Sequence, residues 1–84
     1  MAVEKEIKHI HEMMEEVLAD SSIPKNIKRA ISEAKERLEG EDELVVKISA
    51  STYLIESVSD DINMPPHART QIWAIMSALE SVKK

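Results

Sequence analysis

Cysteine is absent from this 84-residue chain, which excludes disulfides and thiolate metal sites. Phenylalanine is absent as well, and there is one tryptophan and one tyrosine, so a core must be built from Ile, Leu, Val, Met and Ala. The single glycine, Gly40, is too few to form a phosphate-cradling loop. No apolar run approaches the ~20 residues that a membrane-spanning helix needs. The opening Met-Ala-Val-Glu-Lys-Glu has none of the apolar character of a secretory signal, so a cytoplasmic location is expected. Positive charge is also in deficit. A net charge of −5 opposes generic nucleic-acid binding and leaves room only for a local basic patch.

What is present is 43% apolar and 32% charged, a balance that suits one small helical domain spanning residues 1–84. Its second half repeats its first. Laying residues 3–39 over 44–80 pairs Ile7 with Ile48, Glu15 with Glu56, Val17 with Val58 and Asp20 with Asp61. The same register pairs Pro24 with Pro65, Ile31 with Ile72, Leu38 with Leu79 and Glu39 with Glu80. A period this long implies a shared supersecondary unit.

Apolar steps of three and four predict four helices. Val3, Ile7, Ile10, Met14 and Val17 mark the first, and Leu44, Ile48, Ser51, Ile55 and Val58 mark the third. Ile27, Ile31, Ala34 and Leu38 mark the second; Ala68, Ile72, Ile75, Leu79 and Val82 mark the fourth. Strand alternation is sustained nowhere. Links of about five residues within each half, and two or three between halves, force sequential helices to lie antiparallel. The expected fold is all-α: a four-helix up-and-down bundle made of two repeated helical hairpins, about 3–39 and about 44–82.

Local punctuation adds detail. Pro24 and Pro65 are placed to open helices two and four. Ile23 and Met64, each preceding a proline, are expected to be extended and to drop into the core. Gly40 is expected to end helix two in the left-handed conformation, with Asp42 as the N-cap of helix three. Helix three also carries Val45, Val46, Tyr53 and Leu54, so it is either the most enclosed element or one that faces a partner. The first and third segments are net acidic and the second and fourth net basic, which favours pairing between neighbours.

Few constellations carry chemistry. His9, His11, Glu12 and Glu15 are the one cluster resembling metal ligands, but residues two apart point to different sides of a helix. The repeat offers only Thr52 and Glu56 opposite His11 and Glu15, so no two-fold di-metal site is completed. No Gly-x-Ser-x-Gly elbow exists, most serines sit in helices or caps without a nearby histidine, and Glu15-Glu16 and Asp60-Asp61 lack an apolar setting for acid–base work. No catalytic residue, metal or cofactor is therefore assigned, and a non-enzymatic role is expected. Two surfaces are candidates instead. His67, Arg69, Thr70 and Trp73, at the start of helix four, combine residue types enriched at protein interfaces. Lys25, Lys28 and Arg29 could meet phosphate, though no aromatic interleaves them for base stacking.

Two segments carry a resemblance: Ser-Ile-Pro-Lys-Asn-Ile-Lys-Arg-Ala at 22–30 and Asn-Met-Pro-Pro-His-Ala-Arg-Thr-Gln-Ile-Trp at 63–73. In order and separation they resemble the archaeal uncharacterised protein family 0147, over nearly the whole chain. The resemblance implies a small archaeal cytoplasmic four-helix protein and supplies no activity, cofactor or catalytic residue to carry over. Each half is also similar to a HEAT-type hairpin, but two such units are too few for a solenoid, and a closed bundle is expected. The reading is a structural or protein-interaction module that binds a protein or itself. The alternative is an RNA- or ribosome-associated factor using the basic start of helix two.

Overall fold

The apolar steps become four stripes that face one core, except that Val3, which opens the first, is exposed. The structure, a computed structural model, describes residues 2–83, with helices α1 (Ala2–Ala19), α2 (Lys25–Glu39), α3 (Leu44–Glu56) and α4 (Pro66–Lys83). No strand occurs among the described residues. Ile10, Met14 and Val17 of α1 meet Ile27, Ile31, Ala34 and Leu38 of α2 in one core cluster. Ile48 and Ile55 of α3 and Ala68, Ile72, Ile75, Leu79 and Val82 of α4 complete it. Each helix touches two others: α1 packs on α2 and α4, and α3 packs on α2 and α4. Burying one such aliphatic side chain contributes about 1.5–3 kcal/mol, which a domain of this size needs. No helix among the described residues is long and apolar enough to cross a membrane.

The two prolines do matching work. Pro24 and Pro65 stand just before α2 and α4, and their carbonyls accept from Lys28 N (3.1 Å) and Arg69 N (3.0 Å). Those donors are forty-one residues apart, as are the acceptors. Ile23 and Met64, each preceding a proline, are buried as expected.

Four local expectations are corrected. Gly40 is not left-handed: its φ of −69° and ψ of 179° let the chain leave α2 in an extended conformation after one bond from Gly40 N to Arg37 O. The N-cap of α3 is Glu43, not Asp42, and no side chain caps it; Glu43 O instead accepts from Lys47 N at 2.9 Å. The second inner link is longer than the first, spanning 57–65 against 20–24. Ser57 and Ser59 explain this: their hydroxyls bond the carbonyls of Leu54 and Glu56, competing with helical bonding where the repeat partners Glu16 and Leu18 do not. Finally, of the two alternatives for α3, enclosure is the one that falls away, because Val45, Val46 and Tyr53 all face solvent.

One break in the repeat is a packing device. Ser51 stands where α1 has Ile10, and Ala34 where α4 has Ile75. Ser51 is fully buried, and its hydroxyl donates to Ala34 O at 2.9 Å, tying α3 to α2. Small residues therefore lie between α2 and α3, while α1 and α4 bring two fully buried isoleucines to the core. The small pair lies where α2 and α3 make a more extensive contact than α1 and α4 do.

Candidate functional site

At the end of the molecule where α2 and α4 begin, the two aspartates shared by the repeat make reciprocal contacts. Asp20 accepts from Ser22 N (2.9 Å) and Ser22 Oγ (2.6 Å), and its Oδ2 lies 2.8 Å from His67 Nε2. Asp61 accepts from Asn63 N (2.8 Å), and its Oδ2 takes a 2.7 Å bond from Asn26 Nδ2. Asn26 and His67 are themselves forty-one residues apart. Each half's loop carboxylate therefore holds the second residue of the other half's even-numbered helix. These contacts span 35 and 47 residues of chain, a separation that local periodicity does not address.

Ser22 Oγ also lies 3.2 Å from His67 Nε2, so the structure does bring a serine and a histidine together. A carboxylate only accepts, so Nε2 carries the hydrogen it gives to Asp20. The imidazole nitrogen facing Ser22 has no lone pair to take a proton, and the hydroxyl already donates to Asp20. The contacts hold the loop rather than activate a nucleophile.

Ser22's hydroxyl and backbone N–H, then His67, lower the Asp20 carboxyl to about 2 from its usual 3.8. A depressed carboxyl stabilises the fold above the unfolded value, and that contribution is lost as pH falls through the folded one. Asp20→Asn is therefore expected to flatten the loss of stability between about pH 4 and pH 2, read from denaturant midpoints across that range. Asp61 is lowered too, first by the Asn26 bond and then by the Asn63 N–H.

The four interface candidates serve different places. His67 reaches the 20–24 loop, Arg69 Nη2 donates to Asp61 O at 3.4 Å, and Thr70 Oγ1 donates back to Pro66 O at 3.3 Å. Trp73 alone is uncommitted, and it is 59% exposed, so it is not a piece of core. It edges a groove between α3 and α4 lined by Thr52, Glu56, Met76, Ser77 and Glu80. An adjoining trough shares Thr52, Glu56 and Glu80 and extends to Ser49 and Tyr53, which is 75% exposed. Sequence reasoning placed Tyr53 on helix three's broad apolar face without joining it to Trp73, and it did not pick out Glu56 and Glu80 as site residues.

The basic candidates are scattered by comparison. Lys25 and Arg29 line an exposed groove with Asn26, Lys28 is half-buried, and Asn26 brings the Asp61 carboxylate alongside. Among the described residues no cluster of three metal-ligating side chains forms. His9 lies 3.9 Å from Glu12, while His11 turns to Glu39 at 3.7 Å and not to Glu15. Glu15 instead pairs with Lys35, which lowers the carboxyl and raises the amine, chiefly through their hydrogen bond.

Comparison with known proteins agrees with this layout. The profile of a family described as "Uncharacterised protein family (UPF0147)" matches residues 1–82. A UPF0147 protein of Methanocaldococcus jannaschii is 42% identical over 82 residues, covering 95% of this chain and 87% of its own. One of Pyrococcus furiosus is 39% identical over 83 residues, covering 96% and 89%. The crystal structure of an unknown-function protein, MMP1188, superposes with a TM-score of 0.89 at 41% identity, covering 94% of this chain and 91% of that one.

Proposed function

The chain belongs to the uncharacterised protein family UPF0147, and on that premise we propose that it is a small, non-enzymatic protein-interaction module of the archaeal cytoplasm. The observation that carries this reading is the placement of Tyr53 and Trp73. Both aromatics stand on the outside of α3 and α4, while the core is filled without either. Aromatic residues on a surface groove are the usual anchors of protein interfaces. The fold is read as an up-and-down bundle of two repeated hairpins. The short links 20–24 and 40–43 support it, as does the packing of each helix against two neighbours.

The immobilised chain is expected to retain a protein from native archaeal cytosol, and light scattering after size exclusion reports whether that partner is a second copy. A strict monomer that retains no protein contradicts the reading. The grouping of Lys25 and Arg29 in one groove supports RNA as a second reading. Phosphate contacts weaken as salt rises, so co-sedimentation with ribosomes at low but not high salt would favour that reading.

A further inference from the structure

We propose that the groove between α3 and α4 receives an amphipathic helical segment of a protein partner, one that brings lysine or arginine side chains to Glu56 and Glu80. This rests on the interaction-module reading and specifies the chemistry of the partner. The repeat itself supplies the reason. In the first half, Glu15 pairs with Lys35, and Glu39 lies 3.7 Å from His11. Forty-one residues on, those four positions are Glu56, Met76, Glu80 and Thr52, and all four line the groove. The second half has kept both carboxylates and replaced both basic partners with uncharged residues. At the same time Ser32 has become Trp73, so the surface that lost its internal lysine gained an aromatic edge.

Two carboxylates in one groove repel each other, and a cation from outside relieves that repulsion as Lys35 does beside Glu15 in the first half. Among the described residues Glu56 has no ion-pair partner. The groove measures about 320 Å³ and joins the adjoining trough of about 220 Å³ along α3. That elongated, solvent-facing shape suits a helix laid in a groove better than an enclosed small molecule. Met76 offers apolar contact, and Trp73 and Tyr53 offer ring faces on which a lysine or arginine can rest. A second copy fits poorly: each carries a net charge of −5, and a symmetric dimer through this face sets carboxylates against carboxylates. A polyanion such as RNA is repelled for the same reason.

The test uses the full chain and Trp73, its only tryptophan, as reporter. The probe is an amphipathic leucine–lysine peptide of about 15 residues, long enough to form a helix; its leucine–glutamate counterpart is the control. The lysine peptide is expected to shift Trp73 emission to the blue, and the glutamate peptide to leave it unchanged. Glu56→Gln/Glu80→Gln is expected to weaken binding about ten-fold, the scale of two partly exposed ion pairs. Met76→Lys, which rebuilds the Lys35 arrangement inside the groove, is expected to weaken it similarly. Glu56 and Glu80 are exposed and Met76 is half-buried against the core, and a cooperative circular dichroism melt shows that each variant folds. Absence of a shift with the lysine peptide overturns the proposal, as does equal affinity for wild type and both variants. If the peptide fails while the chain still retains a cytosolic protein, the charge assignment falls and the interaction reading stands. If both fail, both fall.

Discussion

Replacing Ile72 with alanine is expected to lower the free energy of unfolding by about 2–5 kcal/mol, the range for removing a fully buried isoleucine and leaving a cavity. Ile72 has no exposed surface and sits in the core cluster with its repeat partner Ile31. Ile31→Ala is expected to cost a similar amount, because both positions occupy the same register of the two even-numbered helices. For a domain whose whole stability is about 5–15 kcal/mol, either change removes a large share. The melting temperature is expected to fall by roughly 4–8 °C for each kcal/mol lost. Urea denaturation of the two variants side by side checks this. A loss well below 1 kcal/mol at either position means that the two stripes do not share one core.

The second large effect concerns Ser51, the point where the repeat departs from isoleucine. Ser51→Ile copies the first half and adds volume between α2 and α3, where the serine is fully buried and donates to Ala34 O. Overpacking of this kind is expected to cost about 1–3 kcal/mol. Ser51→Ala loses only one hydrogen bond and is expected to cost about 1 kcal/mol. The same denaturation experiment separates them. If isoleucine is tolerated as well as alanine, the packing of α2 against α3 is not set by this residue.

Much of the fold is legible in the sequence, because a helix buries its three-and-four stripe whatever its surroundings. Ile10, Met14, Ile31, Ile55 and Ile72 fall where that spacing puts them, and Ile23 and Met64, each before a proline, drop into the core. Helix ends were less legible. Gly40 tolerates left-handed geometry but is not compelled to adopt it, and Ser57 and Ser59 shorten α3 through their own hydroxyls. The reciprocal Asp20–His67 and Asp61–Asn26 contacts were hidden by distance along the chain, although all four residues fall on the forty-one-residue register. The groove was half visible. Trp73 stands out in the sequence, but Glu56 and Glu80 gain meaning only beside the Lys35 and His11 contacts of the first half. Breaks in the repeat therefore have two physical origins: Ser51 adjusts packing, whereas Met76, Thr52 and Trp73 alter a surface.

The most direct measurement is retention of a protein partner from native cytosol by the wild-type chain and by the Tyr53→Ala/Trp73→Ala double variant. Both side chains are more than half exposed, so the variant is expected to melt close to the wild type. Wild type is expected to hold its partner and the folded variant to lose it. Equal retention by the two chains would contradict the claim that this face of α3 and α4 is where the protein binds.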